Sequence, residues 1–462
     1  MSKKLITTIL TGVVFMSNMH IATLPVKAAN NSDLSVPLEN IVYVSPNGNA
    51  ENADGTIDDP FSTVEAARDY LRTKDIGKDS RGIIYLREGT YHVTNSISLT
   101  SEDSYVTYAA YKGESVEITG SATLENGKFK KLSEVSGEKY SSQTRLPSGV
   151  ADKVYVYDLG AAGIPVGDVY KNGFNWTKQP PQPELIVNGE LQILARYPNN
   201  GTITKSHLEI PNKGGVPRDY FFDKTDYSKT YEEMLAMNGP VFCIKNLPDS
   251  AHIWAGAYDY DNVYSAVNGD MPAVNPLNDN TKYETDGWLS GYFANEYGND
   301  NVQMYSVRLH TDGKYYIYCK YPSLYGVSAN SLKVSAINLL CELDSAGEYY
   351  IDRYNDNNVL YYYPQNGVID NQSITLNAFD KPLVTMENAE EIQISGIRFT
   401  GTTNSGITMT DCELCTISGC ELYNISMDAI KIGDNNGMIT ADSGYDTFGG
   451  GHNNTCCKLR YS

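Results

Sequence analysis

The sequence predicts an all-β fold, a parallel β-helix that carries an N-terminal capping helix and a β-rich insertion. Three segments near the C-terminus, which start at Val384, Ile407 and Ile430, align without gaps at a constant period of about 23 residues. Each segment contains three short stretches of alternating apolar and polar residues, which is typical of strands with one buried face. The composition agrees, because 39 Gly, 19 Pro and 36 Tyr among 462 residues favour strands and turns over helices.

The period also predicts which side chains stack on one another. Equivalent positions of successive coils lie about 4.8 Å apart, so apolar columns become continuous ladders. The predicted columns are Val384/Ile407/Ile430, Met386/Met409/Ile432, Ile392/Cys415/Met438, Ile394/Ile417/Thr440, Ile397/Cys420/Ser443 and Phe399/Leu422/Tyr445. We therefore interpret Cys415 and Cys420 as core residues rather than as members of a redox or metal pair.

The N-terminal part predicts the first coils and a helix that caps them. Strand-like stretches between residues 41 and 118 are interrupted by a helical pattern at 60–71. Ser62 and Glu65 predict a capping box at the start of this helix. An amphipathic helix would cover the open end of a β-helix, where strands expose unpaired backbone. The apolar face of the predicted helix consists of Val64, Ala67, Tyr70 and Leu71.

The middle of the chain lacks the period, and we interpret it as an insertion beside the coils. Asn188-Gly189 follows a strand-like stretch and predicts a hairpin, and further strands are predicted at 315–318 and 360–363. Trp176, Trp254 and Trp288 are candidates for lining a groove. The predicted organisation is 41–159 for the cap and first coils, 160–380 for the insertion and 381–462 for the repeat coils.

The first residues predict export from the cell. Lys3 and Lys4 precede an apolar run, and a small-residue site ends at Ala28, which is the pattern of a signal peptide over 1–28, followed by a linker over 29–40. The apolar run is too short to span a bilayer, which needs about 20 residues. Removal of three lysines with this segment lowers the net charge from −20 to −23. Such an acidic protein is not expected to bind nucleic acid.

Several motifs carry a resemblance to a known group of proteins. Residues 43–48 (Tyr-Val-Ser-Pro-Asn-Gly) and 85–91 (Tyr-Leu-Arg-Glu-Gly-Thr-Tyr) resemble the N-terminal coils of secreted, right-handed parallel β-helix carbohydrate-active proteins of the pectate-lyase-like superfamily. Residues 187–190, 195–199 and 288–293 are similar to glycoside hydrolase family 141 and its relatives. The resemblance implies a right-handed coil, a polysaccharide or oligosaccharide substrate and a monomeric protein. It does not fix the chemistry, because this fold hosts hydrolases, lyases and passive binders.

Hydrolysis of a glycosidic bond requires two carboxyl groups in different protonation states. Asp411 and Asp434 share one column with Asn388, so their Cα atoms would lie about 4.8 Å apart and one pKa would rise. Asp428 and Asp446 lie at strand-to-turn edges of the last two coils. These four aspartates are the predicted catalytic residues, and no cofactor is required. A turn ladder of Asn and Asp that satisfies backbone groups is the structural alternative for the shared column.

Two other functions stay open on the sequence. A Ca²⁺-assisted polysaccharide lyase would use a basic residue, and Arg398 and Lys431 lie in predicted strands but in different columns. Asp259 and Asp261 offer carboxylates for a cation, yet no EF-hand-like or nonapeptide Ca²⁺ spacing is present and the six His lack zinc-like spacing. The third possibility is a non-catalytic glycan-binding or surface β-helix.

The end of the sequence departs from the predicted pattern. After the glycine-rich stretch at 449–451, residues 456–462 do not continue the repeat as aligned, and the chain stops without an obvious cap. Proteins that resemble this one continue for several more coils. We therefore expect a truncated or frame-shifted form with an exposed strand edge, poor solubility and little activity.

Overall fold

A computed structural model describes most of the chain beyond residue 35. The described residues are 36–49, 52–169, 181–209, 239–256, 279–309, 313–320, 323, 326–328 and 330–433, together with the backbone of 455–457 and 460–461. These residues form strands and turns, and the only α-helix among them is Val64–Arg72, so the all-β prediction is confirmed. The predicted residues that lie outside the described part are the export segment 1–28, Trp176, Asp259, Asp261, Asp434 and Asp446.

Three sheets contain only parallel strand pairs. Sheet 1 consists of Ile41–Asn49, Gly82–Leu86, Val106–Ala110, Gln393–Ser395, Thr416–Ser418 and Thr455–Cys457. Sheet 2 consists of Gly89–His92, Val116–Thr119, Arg398–Thr402, Glu421–Ile425 and Arg460–Tyr461. Sheet 3 consists of Ile97–Leu99, Val384–Glu387, Ile407–Thr410 and Ile430–Gly433. The chain passes through sheets 3, 1 and 2 in turn, and we call one such passage a coil.

The predicted columns of the repeat are confirmed where both members are described. Val384 pairs with Ile407 and then Ile430, and Ile394 pairs with Ile417. The inward-facing side chains of the three sheets form one hydrophobic core. Cys415 and Cys420 are buried in it, as predicted, and the Cys420 thiol lies 3.8 Å from the carbonyl oxygen of Ile394.

The last coil corrects the predicted register. Ile417 pairs with Cys456 instead of Thr440, and Leu422 pairs with Tyr461 instead of Tyr445, so both partners lie further along the chain by the same step. The expectation that the tail breaks the pattern was wrong, because Thr455–Cys457 and Arg460–Tyr461 continue sheets 1 and 2. The alignment had assumed a constant turn length, whereas backbone pairing accepts a longer connection between coils.

The residue that caps the helix Val64–Arg72 lies one position after the predicted cap, Ser62. Thr63, with an extended backbone (φ −133°, ψ 154°), is the N-cap, and its hydroxyl accepts a hydrogen bond of 3.1 Å from the Ala66 N–H. The predicted box at Ser62 and Glu65 was wrong because the cap requires this extended geometry at the residue directly before the helix. The buried residues of the helix, Val64, Ala67 and Leu71, pack into the core between the parallel sheets.

The segment between Thr119 and Val384 forms sheets that are almost entirely antiparallel. One contains Ser121–Thr123, Glu184–Val187, Glu190–Leu191 and Ile374–Asn377. A second contains Lys130–Lys131, Tyr155–Asp158, Ile193–Leu194, Glu348–Asp352 and Val359–Tyr362. The third contains Arg196–Tyr197, Leu208–Glu209, Val241–Ile244, Trp288–Tyr292, Asn299–Leu309, Tyr315–Cys319 and Lys333–Ile337.

Several details of this middle segment can be compared with the sequence. The hairpin at Asn188-Gly189 is confirmed, and both residues have the positive φ (52° and 82°) of a tight two-residue turn. Antiparallel pairing begins at Ser121, so residues 121–159, assigned by sequence to the first coils, pair instead with the middle segment. Alternation alone does not separate parallel from antiparallel strands.

Two of the three tryptophans that were candidates for lining a groove lie in the described part of the chain. Trp254 and Trp288 are buried in the middle segment, so they do not line an open groove.

In the part of the chain that the structure describes, no helix is long and apolar enough to cross a membrane. Short 3₁₀-helices occupy Leu38–Asn40, Ser101–Asp103, Tyr111–Gly113, Asn126–Lys128, Leu132–Glu134, Glu138–Arg145, Ala151–Lys153, Asp249–Ile253, Leu340–Glu342 and Tyr354–Asp356.

Candidate functional site

Asp411 occupies a turn position of sheet 3. It follows the strand Ile407–Thr410 with φ 51°, and its N–H donates to the Gly433 carbonyl at 3.1 Å. Asn388, one coil earlier, has φ 52° and donates in the same way to the Thr410 carbonyl at 3.0 Å. Asn and Asp tolerate this left-handed conformation better than other non-glycine residues. In these two coils, Asn388 and Asp411 have the geometry of a turn ladder, which was the structural alternative to a catalytic role for this column.

Asp428 lies at the other end of sheet 3. It precedes the strand Ile430–Gly433, whereas Asp411 follows the neighbouring strand Ile407–Thr410. Four strand residues at roughly 3.3 Å each place roughly 13 Å of strand between the two aspartates, more than the 6.5–9.5 Å typical of an inverting carboxyl pair. The structure therefore does not bring these two candidates together, and each needs another partner for paired-carboxylate chemistry.

The loops from sheet 2 to sheet 3 form the place where the middle segment leaves and rejoins the coils. The chain departs after Thr119 of sheet 2 and returns at Val384 of sheet 3. The equivalent loops of the next two coils span 403–406 and 426–429, and the Gly406 N–H donates to the Asp428 carbonyl at 3.0 Å. We call these loops, with the ends of the middle segment beside them, the insertion corner.

Glu184 from the middle segment reaches the insertion corner. The Ser426 hydroxyl, two residues before Asp428, donates a hydrogen bond of 2.5 Å to Glu184 Oε2. Burial raises the pKa of Glu184 above its ordinary value, while hydrogen bonds from Ser426 and Asn377 act in the opposite direction. A carboxyl group that holds its proton more tightly thus lies next to the loop that carries Asp428. Sequence reasoning missed Glu184, because it begins an ordinary strand outside the repeat.

Buried polar contacts hold this corner together. Asn377 pairs in register with Glu184, and its Nδ2 donates to the Asn424 carbonyl of sheet 2 at 3.2 Å. The Ser121 hydroxyl donates to Asn377 Oδ1 at 2.6 Å. Gly401, with φ 77°, packs so closely that an added Cβ would lie 1.9 Å from Ser121 Oγ. The strand that carries Glu184 is therefore fixed to the coils through several independent contacts.

A second polar cluster lies within the middle segment, around Asp286. Its carboxylate accepts hydrogen bonds from Trp288 Nε1 at 2.7 Å, Gln303 Nε2 at 3.1 Å and Asn338 Nδ2 at 3.0 Å. The pKa of Asp286 is raised to about 6, chiefly by burial; the charge of Arg353 opposes this rise and that of Asp168 adds to it. Sequence reasoning missed this cluster too, although Asp286 stands two residues before Trp288, the first residue of the motif at 288–293.

The basic residues of the lyase alternative lie in different sheets. Arg398 lies in sheet 2 and forms an ion pair with Glu421 at 2.8 Å, whereas Lys431 lies in sheet 3, so the structure does not bring them together. Within the described ranges, no group of three or more His, Cys, Asp or Glu side chains is arranged to hold a metal ion. That no cofactor is required stays a prediction of the sequence, and Ca²⁺ stays a possibility for the lyase alternative.

Comparisons with known proteins give partial matches. No protein-family model matches the chain. Pectate lyase PEL9 of Emericella nidulans is 40% identical to this chain over 83 residues. The matched residues are 17% of this chain and 18% of the length of that relative.

Two solved structures resemble the chain to different degrees. One, titled "Glycoside hydrolase", aligns with a TM-score of 0.51 at 15% sequence identity. The alignment covers 83% of this chain and 63% of the glycoside hydrolase chain. The other, "The complex structure of XylC with xylose", aligns with a TM-score of 0.22 at 11% sequence identity. This alignment covers 85% of this chain and 58% of the XylC chain. With so low a sequence identity, the likeness to the glycoside hydrolase is a likeness of fold.

Proposed function

We propose that this chain is an exported carbohydrate-degrading enzyme that hydrolyses glycosidic bonds of a polysaccharide or oligosaccharide. The fold likeness to a glycoside hydrolase and the short match to a pectate lyase both support a carbohydrate substrate. In this proposal the three parallel sheets are the faces of a right-handed parallel β-helix. The helix Val64–Arg72 caps its N-terminal end, and residues 121–380 are an insertion from one corner.

The catalytic pair in this proposal is Glu184 and Asp428. The observation that carries it is the 2.5 Å hydrogen bond from Ser426 to Glu184, which brings a carboxyl group of raised pKa to the loop that contains Asp428. Glycosidases need one carboxyl group that is protonated and one that is ionised on either side of the bond. Asp411, Asp434 and Asp446 stay candidates from the sequence, of which Asp411 has the geometry of a turn residue.

The two carboxyl groups would divide the reaction between them. Protonated Glu184 gives its proton to the glycosidic oxygen while the bond between that oxygen and the anomeric carbon breaks. Asp428 takes a proton from the water whose oxygen forms the new bond to the anomeric carbon. Water is thereby split between the two sugar products, and both carboxyl groups return to their starting states by exchange of a proton with solvent.

The test compares Glu184→Gln and Asp428→Asn with the unchanged protein on pectin, polygalacturonate and xylan. Released reducing ends measure turnover, and we expect each substitution to lower it by roughly 10²–10⁴-fold. Glu125→Gln is the matched control, because Glu125 is exposed, pairs with Lys128 and has no part in the contacts described above for the insertion corner. Turnover that survives in both active-site variants at the control level would overturn the assignment.

A lyase is the second candidate, and the match to a pectate lyase is the observation that favours it. Elimination leaves an unsaturated uronate that absorbs ultraviolet light, whereas hydrolysis leaves none. Absorbance that develops on polygalacturonate and depends on added Ca²⁺ would favour the lyase. Binding of these glycans without turnover, unchanged in both carboxyl variants, would instead indicate a glycan-binding protein.

A further inference from the structure

Three tyrosines form a cluster on the outer side of sheet 1. Tyr43 and Tyr85 pair in register on neighbouring strands, and their ring centres lie 5.7 Å apart. Tyr111, in the turn that follows the strand Val106–Ala110, packs edge-on against both rings at 5.4 Å and 5.3 Å. All three are half-buried, whereas the strand residues on either side of Tyr43 and Tyr85 are buried in the core of the coils. The rings therefore lie on the solvent side of the sheet, and we call them the tyrosine platform.

Two basic side chains lie beside Tyr111. The Arg87 guanidinium is 5.1 Å and Lys112 Nζ is 4.8 Å from the centre of its ring. Arg87 forms an ion pair of 2.9 Å with Glu114, so its charge is offset. Lys112 is exposed, and no ion pair among the described residues includes it. The platform therefore presents an ammonium group that is open to solvent, in a chain whose net charge is −20.

Short side chains continue the outer face of sheet 1 beyond the platform. Tyr85 pairs with Ala109, which pairs with Ser395 and then Ser418 on the next strands. These three residues are also only partly buried. An extended polymer that contacts the rings therefore has room to run along this strip of small side chains.

The chemistry of the platform defines the ligand that suits it. The face of an aromatic ring is rich in electrons, and one face of a pyranose ring carries weakly positive C–H bonds, so the two pack together. The Lys112 ammonium adds a partner for a carboxylate. A uronate unit has both features, whereas a neutral sugar leaves Lys112 unused and an inorganic anion leaves the rings unused. Charge complementarity therefore selects an acidic polysaccharide.

We propose that the tyrosine platform and Lys112 bind uronate units of an acidic polysaccharide. This inference goes beyond the proposed hydrolysis, because the insertion corner joins sheets 2 and 3 and the platform lies on sheet 1. The platform holds the polymer on the outside of the coils by stacking and charge, and no bond of the sugar breaks there. Binding at the platform therefore does not require Glu184 or Asp428.

The experiment measures binding by native electrophoresis through gels that contain polygalacturonate. A matched gel contains highly methyl-esterified pectin, in which most of the uronate carboxylates are neutral esters. Tyr85→Leu keeps an apolar side chain but removes the ring, and we expect it to weaken binding to polygalacturonate roughly 5–10-fold. Lys112→Asn removes the charge and suits the left-handed backbone at this position, where φ is 47°. We expect it to weaken binding to polygalacturonate roughly 3–5-fold and to have no effect in the esterified gel.

A second lysine–tyrosine pair provides the matched controls. Lys74 Nζ lies 4.4 Å from the ring centre of Tyr70, which belongs to the helix Val64–Arg72 and contacts Phe61. Tyr70→Leu and Lys74→Asn should each leave the retardation by polygalacturonate unchanged. Circular dichroism checks that every variant is folded.

Weaker retardation of Tyr85→Leu and Lys112→Asn than of either control would support the platform. Retardation of both platform variants equal to that of the unchanged protein would overturn it, and so would an unchanged protein that polygalacturonate does not retard. An equal effect of Lys112→Asn in both gels would overturn the assignment of an acidic ligand. Dimers of the unchanged protein that dissociate in Tyr85→Leu, measured by sedimentation, would show that a second copy of the chain covers the rings and would overturn it as well.

The proposed hydrolysis and the platform fail in different ways. Loss of turnover in Glu184→Gln together with unchanged retardation of both platform variants would leave the hydrolase standing and remove the platform. Retardation that requires Tyr85 and Lys112, in a protein without turnover on any of the three polysaccharides, would remove the hydrolase and retain the platform.

Discussion

A buried ion pair in the middle segment allows a sharp prediction about stability. Arg145 and Glu284 face each other with side chains that are fully inaccessible to solvent. Glu284 also accepts a hydrogen bond of 2.8 Å from the Cys341 N–H, and the Arg145 guanidinium lies 5.6 Å from the ring centre of Tyr350. Glu284→Gln removes the only negative charge in contact with Arg145 among the described residues. We expect the free energy of unfolding to fall by about 3–5 kcal/mol, because a buried charge is left without its partner.

The expected shift in melting temperature follows from the size of the folded unit. Val36–Ser462 forms one compact unit. An unfolding entropy of about 2.1 cal/mol/K per residue gives about 0.9 kcal/mol/K for roughly 430 residues, so the loss corresponds to about 3–6 °C. Thermal melts followed by circular dichroism, with urea titrations for the free energy, measure both quantities.

Two further variants isolate the cause. Glu125→Gln breaks the exposed pair with Lys128, whose side chains are 66% and 53% accessible, and should shift the melting temperature by less than about 1 °C. The double variant Arg145→Met with Glu284→Leu removes both charges and should recover most of the loss, because apolar pairs of similar volume replace buried ion pairs well. A Glu284→Gln protein as stable as Glu125→Gln would refute the reasoning.

Three other perturbations test the coil, the insertion corner and the Asp286 cluster. Phe399→Ala should lower the free energy of unfolding by about 3–5 kcal/mol in urea titrations, since Phe399 is buried, whereas Thr416→Ala on the outer face should change it by less than about 0.5 kcal/mol. Gly401→Ala should destabilise the protein by about 1–3 kcal/mol and lower turnover, since φ is 77° and the new Cβ would overlap Ser121; a fully stable variant would contradict this packing. Asp286, with a pKa raised to about 6, binds its proton more tightly when folded, so the free energy of unfolding should fall as pH rises from about 4 to about 6. Asp286→Asn should remove that part of the slope in urea titrations across this range, and an unchanged slope would show that another group causes it.

The coils were predictable because their geometry repeats in the sequence. A constant spacing places Val384, Ile407 and Ile430 in one ladder, and the burial of each inward position imposes an apolar residue at the same phase. The same phase identified Cys415 as a core residue before any contact was known. The constant period predicted Thr440 as the partner of Ile417, but the partner is Cys456, further along the chain. The prediction failed because the ladder fixes the pairing of strands and does not fix the length of the loops between them.

The candidate site was not predictable for a different reason. Ser426 and Glu184 are 242 residues apart in sequence, and their contact depends on how the middle segment folds back onto the coils. No periodic pattern marks Glu184, which begins a strand with the same alternation as its neighbours. Asp428 became a candidate because it stands at the edge of a repeat, whereas Glu184, the partner that we propose for it, lies outside the repeat altogether.

The insertion corner explains how a repetitive coil can acquire a specific site. Each coil is held by its ladders, so a loop between sheets 2 and 3 can lengthen without moving the strands on either side. Asp428 is fixed by the strand Ile430–Gly433 that follows it, and Glu184 begins the strand Glu184–Val187, which pairs with Ile374–Asn377. Glu184 thus stands at the start of a paired strand, whereas Asp428 lies in a four-residue loop two residues before one. A proton donor and its partner would then keep their separation while the neighbouring loops adapt to the glycan chain, and this is the arrangement that acid/base hydrolysis requires.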